Sequence, residues 1–185
     1  MISVFQHKTF CRFADLKDIT LADVFHEVDY FKIHVKFTKT DQKGGGQWLY
    51  VPKDCSGYRD PHMLMCLYIH HLELNTAVPS PHVYLFPPLC WDTLRSEYLI
   101  VPGKAISYPA AYSDFKAMLK FGGLDPKLYG LHSPRSGATT EAFHLGIEPH
   151  IIDLKGRWRS LNTKFHYLKL SHGAIVEKSR KAIPY

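Results

Sequence analysis

The sequence predicts an α+β fold that is mostly helical, with a small antiparallel sheet near its start. Three observations carry this. "YFKIHVKF" alternates strictly, placing Phe31, Ile33, Val35 and Phe37 on one face and Lys32, His34 and Lys36 on the other. "TDQKGGG" then signals a turn, and "QWLYVP" supplies a return strand, so the two form a hairpin with a glycine-rich tip. From residue 61 onward, apolar segments with proline in the first turn or glycine at the end dominate, and they do not alternate with strands. The 185 residues suffice for one domain with a substantial core, and no internal repeat or low-complexity segment divides them.

In chain order, the N-terminal stretch to about residue 16 reads as one short helix with an imperfect apolar stripe. The hairpin strands follow. "PHMLMCLYIHHLEL" is an apolar helix over residues 61–74, opened by a proline that lacks only an N–H the first turn does not use. Residues 79–105, with "VPSP", "FPPL" and "VPG", read as an irregular connection around a short extended "HVYLF". Ser107 caps a helix running to Phe121, with Pro109 in its first turn and Gly122-Gly123 as its stop. Further helices are predicted over residues 134–145, closed by Gly146, and over 149–155, 160–167 and 172–182.

Composition narrows the function classes. No apolar run is long enough to cross a bilayer, and the charged N-terminus lacks a secretory core, so a non-secreted protein is expected. Cys11, Cys55, Cys66 and Cys90 form no CxxC pair, His70 and His71 point to different sides of a helix, and there is no HExxH. Neither a metal nor any other cofactor is expected in the chemistry. The formal net charge of +6 favours phosphate-rich partners.

The segment most suggestive of chemistry is "GLHSPRSGATTEAF". His132 and Arg135 are three apart, on one face at a helix start where backbone N–H groups also favour an anion. A planar guanidinium can hold two phosphate oxygens at once, and the imidazole beside it can donate a hydrogen bond or move a proton. Alone, such an HxxR is more often a solvated turn. Downstream, "KGRWRSLNTKFHYLKLS" places Trp158 and Tyr167 nine apart. A tyrosine is a poor nucleophile unless cations stabilise its phenolate and the charge it attacks.

The order "HSPRSGATT…LGI…KGRWRSLNTKFHY" resembles the tyrosine recombinase (phage integrase) family, most closely the forms borne by eukaryotic DIRS-type retroelements and Cryptons. His132, Arg135, Gly146, Trp158 and Tyr167 fall in the family's order. Upstream, "CRFADLKDITLADV" supplies the first arginine, Arg12, followed by Asp15 where glutamate is more usual. The family also needs a lysine at its sheet hairpin, for which Lys39 is the first candidate and Lys43 the second. The resemblance implies a catalytic core with a three-stranded antiparallel sheet. It implies that Tyr167 attacks a DNA phosphate to give a 3′-phosphotyrosyl link, without metal or nucleotide. Arg12 and Arg135 would clamp the non-bridging oxygens, and Lys39 would protonate the leaving 5′-oxygen. His132 would assist proton transfer or bind the phosphate, Trp158 would pack the site, and Asp15 would orient a neighbour.

The resemblance further implies double-stranded DNA as partner and a homotetramer on DNA, with the C-terminal segment packing either on a neighbour or in cis. Lys32, Lys36, Lys43, Arg157 and Arg159 are candidate DNA contacts, although the basic strand face reads equally as a solvated one. The family usually carries a core-binding domain ahead of the first arginine. Residues 1–185 are therefore expected to be the catalytic domain alone, truncated at its N-terminus. The expected function is site-specific DNA breakage and rejoining, in the nucleus if the source is eukaryotic and otherwise in the cytoplasm. The alternatives are a non-catalytic DNA-binding remnant of a mobile-element recombinase and a type IB topoisomerase-like enzyme.

Overall fold

A computed structural model describes residues 1–36, 45–54, 60–74, 82–158 and 160–182, without the side chains of Leu161, His172, Lys181 and Ala182. The predicted N-terminal helix is two helices. α1 (Ile2–Thr9) ends where Phe10 turns left-handed at φ 56°, and α2 (Phe13–Leu16) is a single turn. The break has a physical cause: the Asp15 carboxylate accepts the Arg12 N–H at 3.0 Å, which fixes Arg12 in extended backbone ahead of a new helix start.

A short 3-10 turn (Leu21–Asp23) leads into β1 (Val24–His26), followed by β2 (Tyr30–Val35) and β3 (Gln47–Pro52). The three strands form one antiparallel sheet in the order β1-β2-β3, with Ile33 paired to both Val24 and Leu49. The alternation sets which face is buried: Phe31, Ile33 and Val35 enter the core. On the other face, Lys32 lies over the Trp48 ring at 4.0 Å and the His34 ring packs, tilted, on the same indole at 4.7 Å. Lys36 pairs with the buried Asp23 at 2.7 Å. These two lysines therefore have partners within the protein as well as exposure.

α3 (Pro61–Leu74) matches its predicted bounds. The stretch read as an irregular connection is more ordered than expected. Leu21 N–H donates to Val83 O and Leu85 N–H to Ile19 O, joining "HVYLF" to the segment after α2. A second hairpin, β4 (Leu89–Asp92) and β5 (Glu97–Ile100), follows. Its strands have no buried face, so no alternation marks them. Its turn is set by Asp92, whose carboxylate accepts the Leu94 N–H at 2.9 Å, and Trp91 packs edge-on against Tyr98.

α4 (Tyr108–Phe121) is capped by Ser107, whose hydroxyl accepts the Ala110 N–H, and it stops at Gly122. α5 (Ser133–His144), α6 (Pro149–Gly156), α7 (Leu161–Tyr167) and α8 (His172–Ala182) complete the chain. Gly146 closes α5 with φ 75°, and the Ile147 N–H returns to Ala142 O.

The main core joins α1, the sheet, α3, α4 and Leu131 through Phe5, Leu16, Ile33, Met65, Leu85 and Phe115. A smaller cluster of Phe10, Ala138 and Ile152, with Trp158 packed on it, holds α5 and α6 to the end of α1. The Gln6 amide, fully buried, donates to Leu131 O at 2.9 Å, and His7 reaches Glu141 at 3.2 Å. These contacts seat the N-terminal segment on α5.

Candidate active site

The docking of α1 on α5 brings the two ends of the sequence motif together. Arg12 follows the left-handed break after α1, and Arg135 lies in the first turn of α5. His132 is the residue before α5, with Pro134 in the first turn as its fixed φ favours. Arg135 is fully buried, and its two terminal nitrogens donate to Phe10 O and Gly156 O. Its guanidinium lies over two aromatic faces, 4.8 Å from the Tyr167 ring centre and 5.0 Å from that of Trp158. Burial and the nearby Arg12 pull Arg135 down to about 10, so it remains charged at neutral pH.

Tyr167, at the end of α7, is buried at 8% exposure. Its ring is 5.8 Å from that of Trp158, 6.5 Å from His132 and 5.8 Å from His166. The two histidines are exposed and flank it. His132 keeps an exposed edge, but partial desolvation of its ring, then Arg12, Arg135 and His166, push it below the ordinary histidine range. A neutral imidazole beside the tyrosine can accept its proton.

Arg157, expected only as a DNA contact, is part of this assembly. It occupies the left-handed position after α6 at φ 52°. Its Nη2 donates to Cys11 Sγ at 2.8 Å and lies 3.8 Å from Asp15 Oδ2. The same Asp15 oxygen lies 4.0 Å from Arg12 Nη1. Asp15 thus faces two arginines. Burial raises the Cys11 thiol while Arg157 opposes it, so Cys11 serves Arg157 as a neutral acceptor.

Three buried donors in this cluster, Arg135 Nε, Arg157 Nη1 and Trp158 Nε1, have no hydrogen-bond partner among the described residues. Buried donors are seldom left so. Arg157 and Trp158 also line an open cleft of about 900 Å³ between the start of β3 and α6, with Gln47, Trp48, His150 and Asp153. A methyl group on Gly156 would overlap the Trp158 indole, so "GRW" is a packing requirement: the glycine lets the indole lie against the end of α6.

The structure brings together Arg12, Asp15, His132, Arg135, Arg157, Trp158 and Tyr167. Lys39, Lys43 and Arg159 lie outside the described residues. Lys32 and Lys36 are on the sheet, paired as described above. Sequence reasoning missed Lys164, which is buried on α7 and pairs with Asp153 of α6 at 3.0 Å. It also missed Cys11. A lysine–aspartate pair eleven residues apart and a single thiol carry no pattern that sequence alone reveals.

No family model and no curated protein matches the sequence. Solved structures do. The XerA recombinase superposes over 100% of this chain and 57% of its own, with TM-score 0.71 and 16% identity. The XerH site-specific recombinase, in a post-cleavage complex with a palindromic difH substrate, covers 97% of this chain and 44% of its own, with TM-score 0.68 and 16% identity. The Tn1549 transposon integrase in complex with circular intermediate DNA covers 96% of this chain and 56% of its own, with TM-score 0.60 and 12% identity. This chain therefore spans about half the length of these structures. Over that span it has the fold of a tyrosine recombinase catalytic domain.

Proposed function

We propose that this chain is the catalytic domain of a tyrosine recombinase that breaks and rejoins double-stranded DNA through Tyr167. The observation that carries the reading is the set of unpartnered donors on Arg135 and Trp158 beside the Tyr167 ring, with that of Arg157 close by at Asp15. Asp15 is the one carboxylate facing these arginines, so a phosphate diester would add acceptor oxygens and negative charge beyond what it supplies. The fold likeness to recombinases in complex with DNA supports the same reading.

In the proposed reaction the Tyr167 oxygen attacks phosphorus and its proton passes to the neutral His132 or to solvent. The bond to the 5′-oxygen breaks, leaving a 3′-phosphotyrosyl link. Lys39 delivers a proton to the leaving oxygen. Arg12, Arg135 and Arg157 stabilise charge on the non-bridging oxygens as it builds. Asp15 holds Arg12 and Arg157 in place. Attack by the 5′-hydroxyl of a partner strand reverses the chemistry on new ends, so no external energy source is needed.

Assignment to the DIRS-type or Crypton forms rests on the "GLHSPRSG" and "GRW" wording of the sequence. Assembly as a tetramer on DNA, and nuclear residence in a eukaryotic source, belong to the same proposal. An apolar groove of about 270 Å³ lined by Phe10, Ala142, Leu145 and Ile151, and the exposed Ile175 and Val176 of α8, support assembly, which sedimentation on DNA measures.

The test is a nicked suicide duplex that traps the covalent species. The wild-type chain gives a protein–DNA adduct and Tyr167→Phe gives none. Binding without an adduct in the wild type would establish a DNA-binding remnant instead. Relaxation of supercoils by a single bound protomer would establish a topoisomerase.

A further inference from the structure

We propose that His26, His62 and Cys66 form a binding site for a divalent transition ion of the zinc class, on the side of the sheet where β1 meets α3. His62 and Cys66 are four apart on α3, hence on one helical face, and His26 ends β1. One ligand atom from each lies within 4.8 Å of the others. Cys66 Sγ is 3.9 Å from His26 Nε2 and 3.8 Å from His62 Nδ1. Tetrahedral zinc with sulfur at about 2.3 Å and nitrogen at about 2.0 Å separates its ligands by roughly 3.3–3.6 Å, so these two pairs need to close by only a few tenths of an ångström.

The rings are held in place before any ion binds. Phe31, on the buried face of β2, stacks on His26 at 4.4 Å and contacts His62 at 4.7 Å. Asp60 accepts the His62 N–H at 2.8 Å and so fixes the start of α3. His62 is 6% exposed, yet its Nε2 has no hydrogen-bond partner among the described residues and its Nδ1 faces only a thiol, a weak donor. An ion at Nδ1 would take the nitrogen that faces Cys66 and fix the ring proton on Nε2.

Two neutral imidazoles and a thiolate are the donor set that zinc, cobalt(II) and similar ions prefer over magnesium or calcium. On binding, Cys66 loses its thiol proton to solvent and the ion gains a sulfur ligand, leaving one net positive charge at the site. His26 is exposed, so the fourth position opens to water. The site is separate from the tyrosine cluster, and its effect is structural: the ion ties the edge strand β1 to α3. Motif searches for CxxC pass over it because two ligands sit at a helical H-x3-C spacing and the third lies in a strand.

The test uses the full chain, stripped with a chelator and titrated with cobalt(II). One equivalent is expected to bind with a thiolate-to-cobalt charge-transfer band and the strong visible bands of tetrahedral geometry, and zinc is expected to displace it. Cys66→Ser removes the charge-transfer band, and Cys90→Ser leaves it unchanged. His26→Ala, at an exposed position, weakens binding by more than about tenfold, since even the hydrogen-bond partners of metal ligands are worth that much. Zinc raises the melting temperature of the wild type and not of His26→Ala. Absence of the charge-transfer band in the wild type, its survival in Cys66→Ser, or equal affinity in His26→Ala would overturn the proposal.

Discussion

Asp15→Asn is the most incisive perturbation of the arginine cluster. The amide oxygen can still accept the Arg12 N–H, so the backbone break before α2 survives, while the charge that faces two guanidiniums is lost. At 3.8 and 4.0 Å, each attraction is about 4 kcal/mol at an effective dielectric of 20. Side-chain exposures of 2% for Asp15, 17% for Arg12 and 12% for Arg157 leave little solvent screening. The desolvation already spent on burying these charges offsets part of that, and breaking a buried pair typically costs about 3–5 kcal/mol. A loss near 3 kcal/mol lowers the melting temperature of a chain this long by roughly 6–12 °C. Calorimetry of the free protein measures it. Sulfate, which occupies guanidinium clusters, should recover more stability in the variant than in the wild type. A double-mutant cycle with Arg157→Met should give a coupling of about 0.5–3 kcal/mol. A melting temperature within about 2 °C of wild type, or strict additivity with Arg157→Met, would show that Asp15 is not what holds the arginines.

Two further outcomes follow from the same site. His132 and His7 both lie below the ordinary histidine value of 6.5 when folded, chiefly through burial. Their stability contribution is complete above pH 6.5. It is lost as pH falls from there through the folded values, because the unfolded chain takes protons that the native state refuses. Denaturant titrations at pH 7.5 and 5.5 should show this decline, and His132→Gln should make it shallower; an unchanged slope would remove His132 from the account. Gly156→Ala places a methyl group in the space of the Trp158 indole and disturbs the carbonyl that accepts from Arg135. Overpacking of this kind costs about 1–3 kcal/mol, and tryptophan fluorescence should report a displaced, more solvated indole. An unshifted emission spectrum would mean the end of α6 yields instead.

The elements most legible in the sequence were those whose pattern is set by a single buried face or a local stop. Phe31, Ile33 and Val35 alternate because one side of β2 is core, and α3, α4 and α8 start at proline or serine chemistry local to the chain, with Gly122 stopping α4. The β4–β5 hairpin was not legible because it has no fully buried face to impose an alternation, only Ile100 packing on the core, and its one signal is the Asp92 turn. The break between α1 and α2 was missed because it is made by a side chain accepting from the backbone three residues back, against the apolar stripe. The site shows the same division. His132, Arg135, Trp158 and Tyr167 share fixed spacings and could be found by reading. The place of Arg157 depends on contacts with Asp15 and Cys11 more than 140 residues away, and only the docking of α1 on α5 creates them.

That docking also explains why the site looks both assembled and incomplete. Each terminal nitrogen of Arg135 donates one hydrogen bond, to Phe10 O and to Gly156 O, so Arg135 acts first as a clasp between the N-terminal segment and α6. Its Nε has no partner among the described residues, like the donors on Arg157 and Trp158 in the same cluster. A guanidinium placed for structure alone would satisfy all its donors, since an unpaired buried donor costs about 1–3 kcal/mol. Three guanidiniums, Arg12, Arg135 and Arg157, around the single carboxylate of Asp15 leave a surplus of positive charge in this cluster. An anion with several acceptor oxygens resolves the surplus in one step. On this view, phosphate entry completes the packing of the clasp, so occupancy of the site and stability of the domain should rise together.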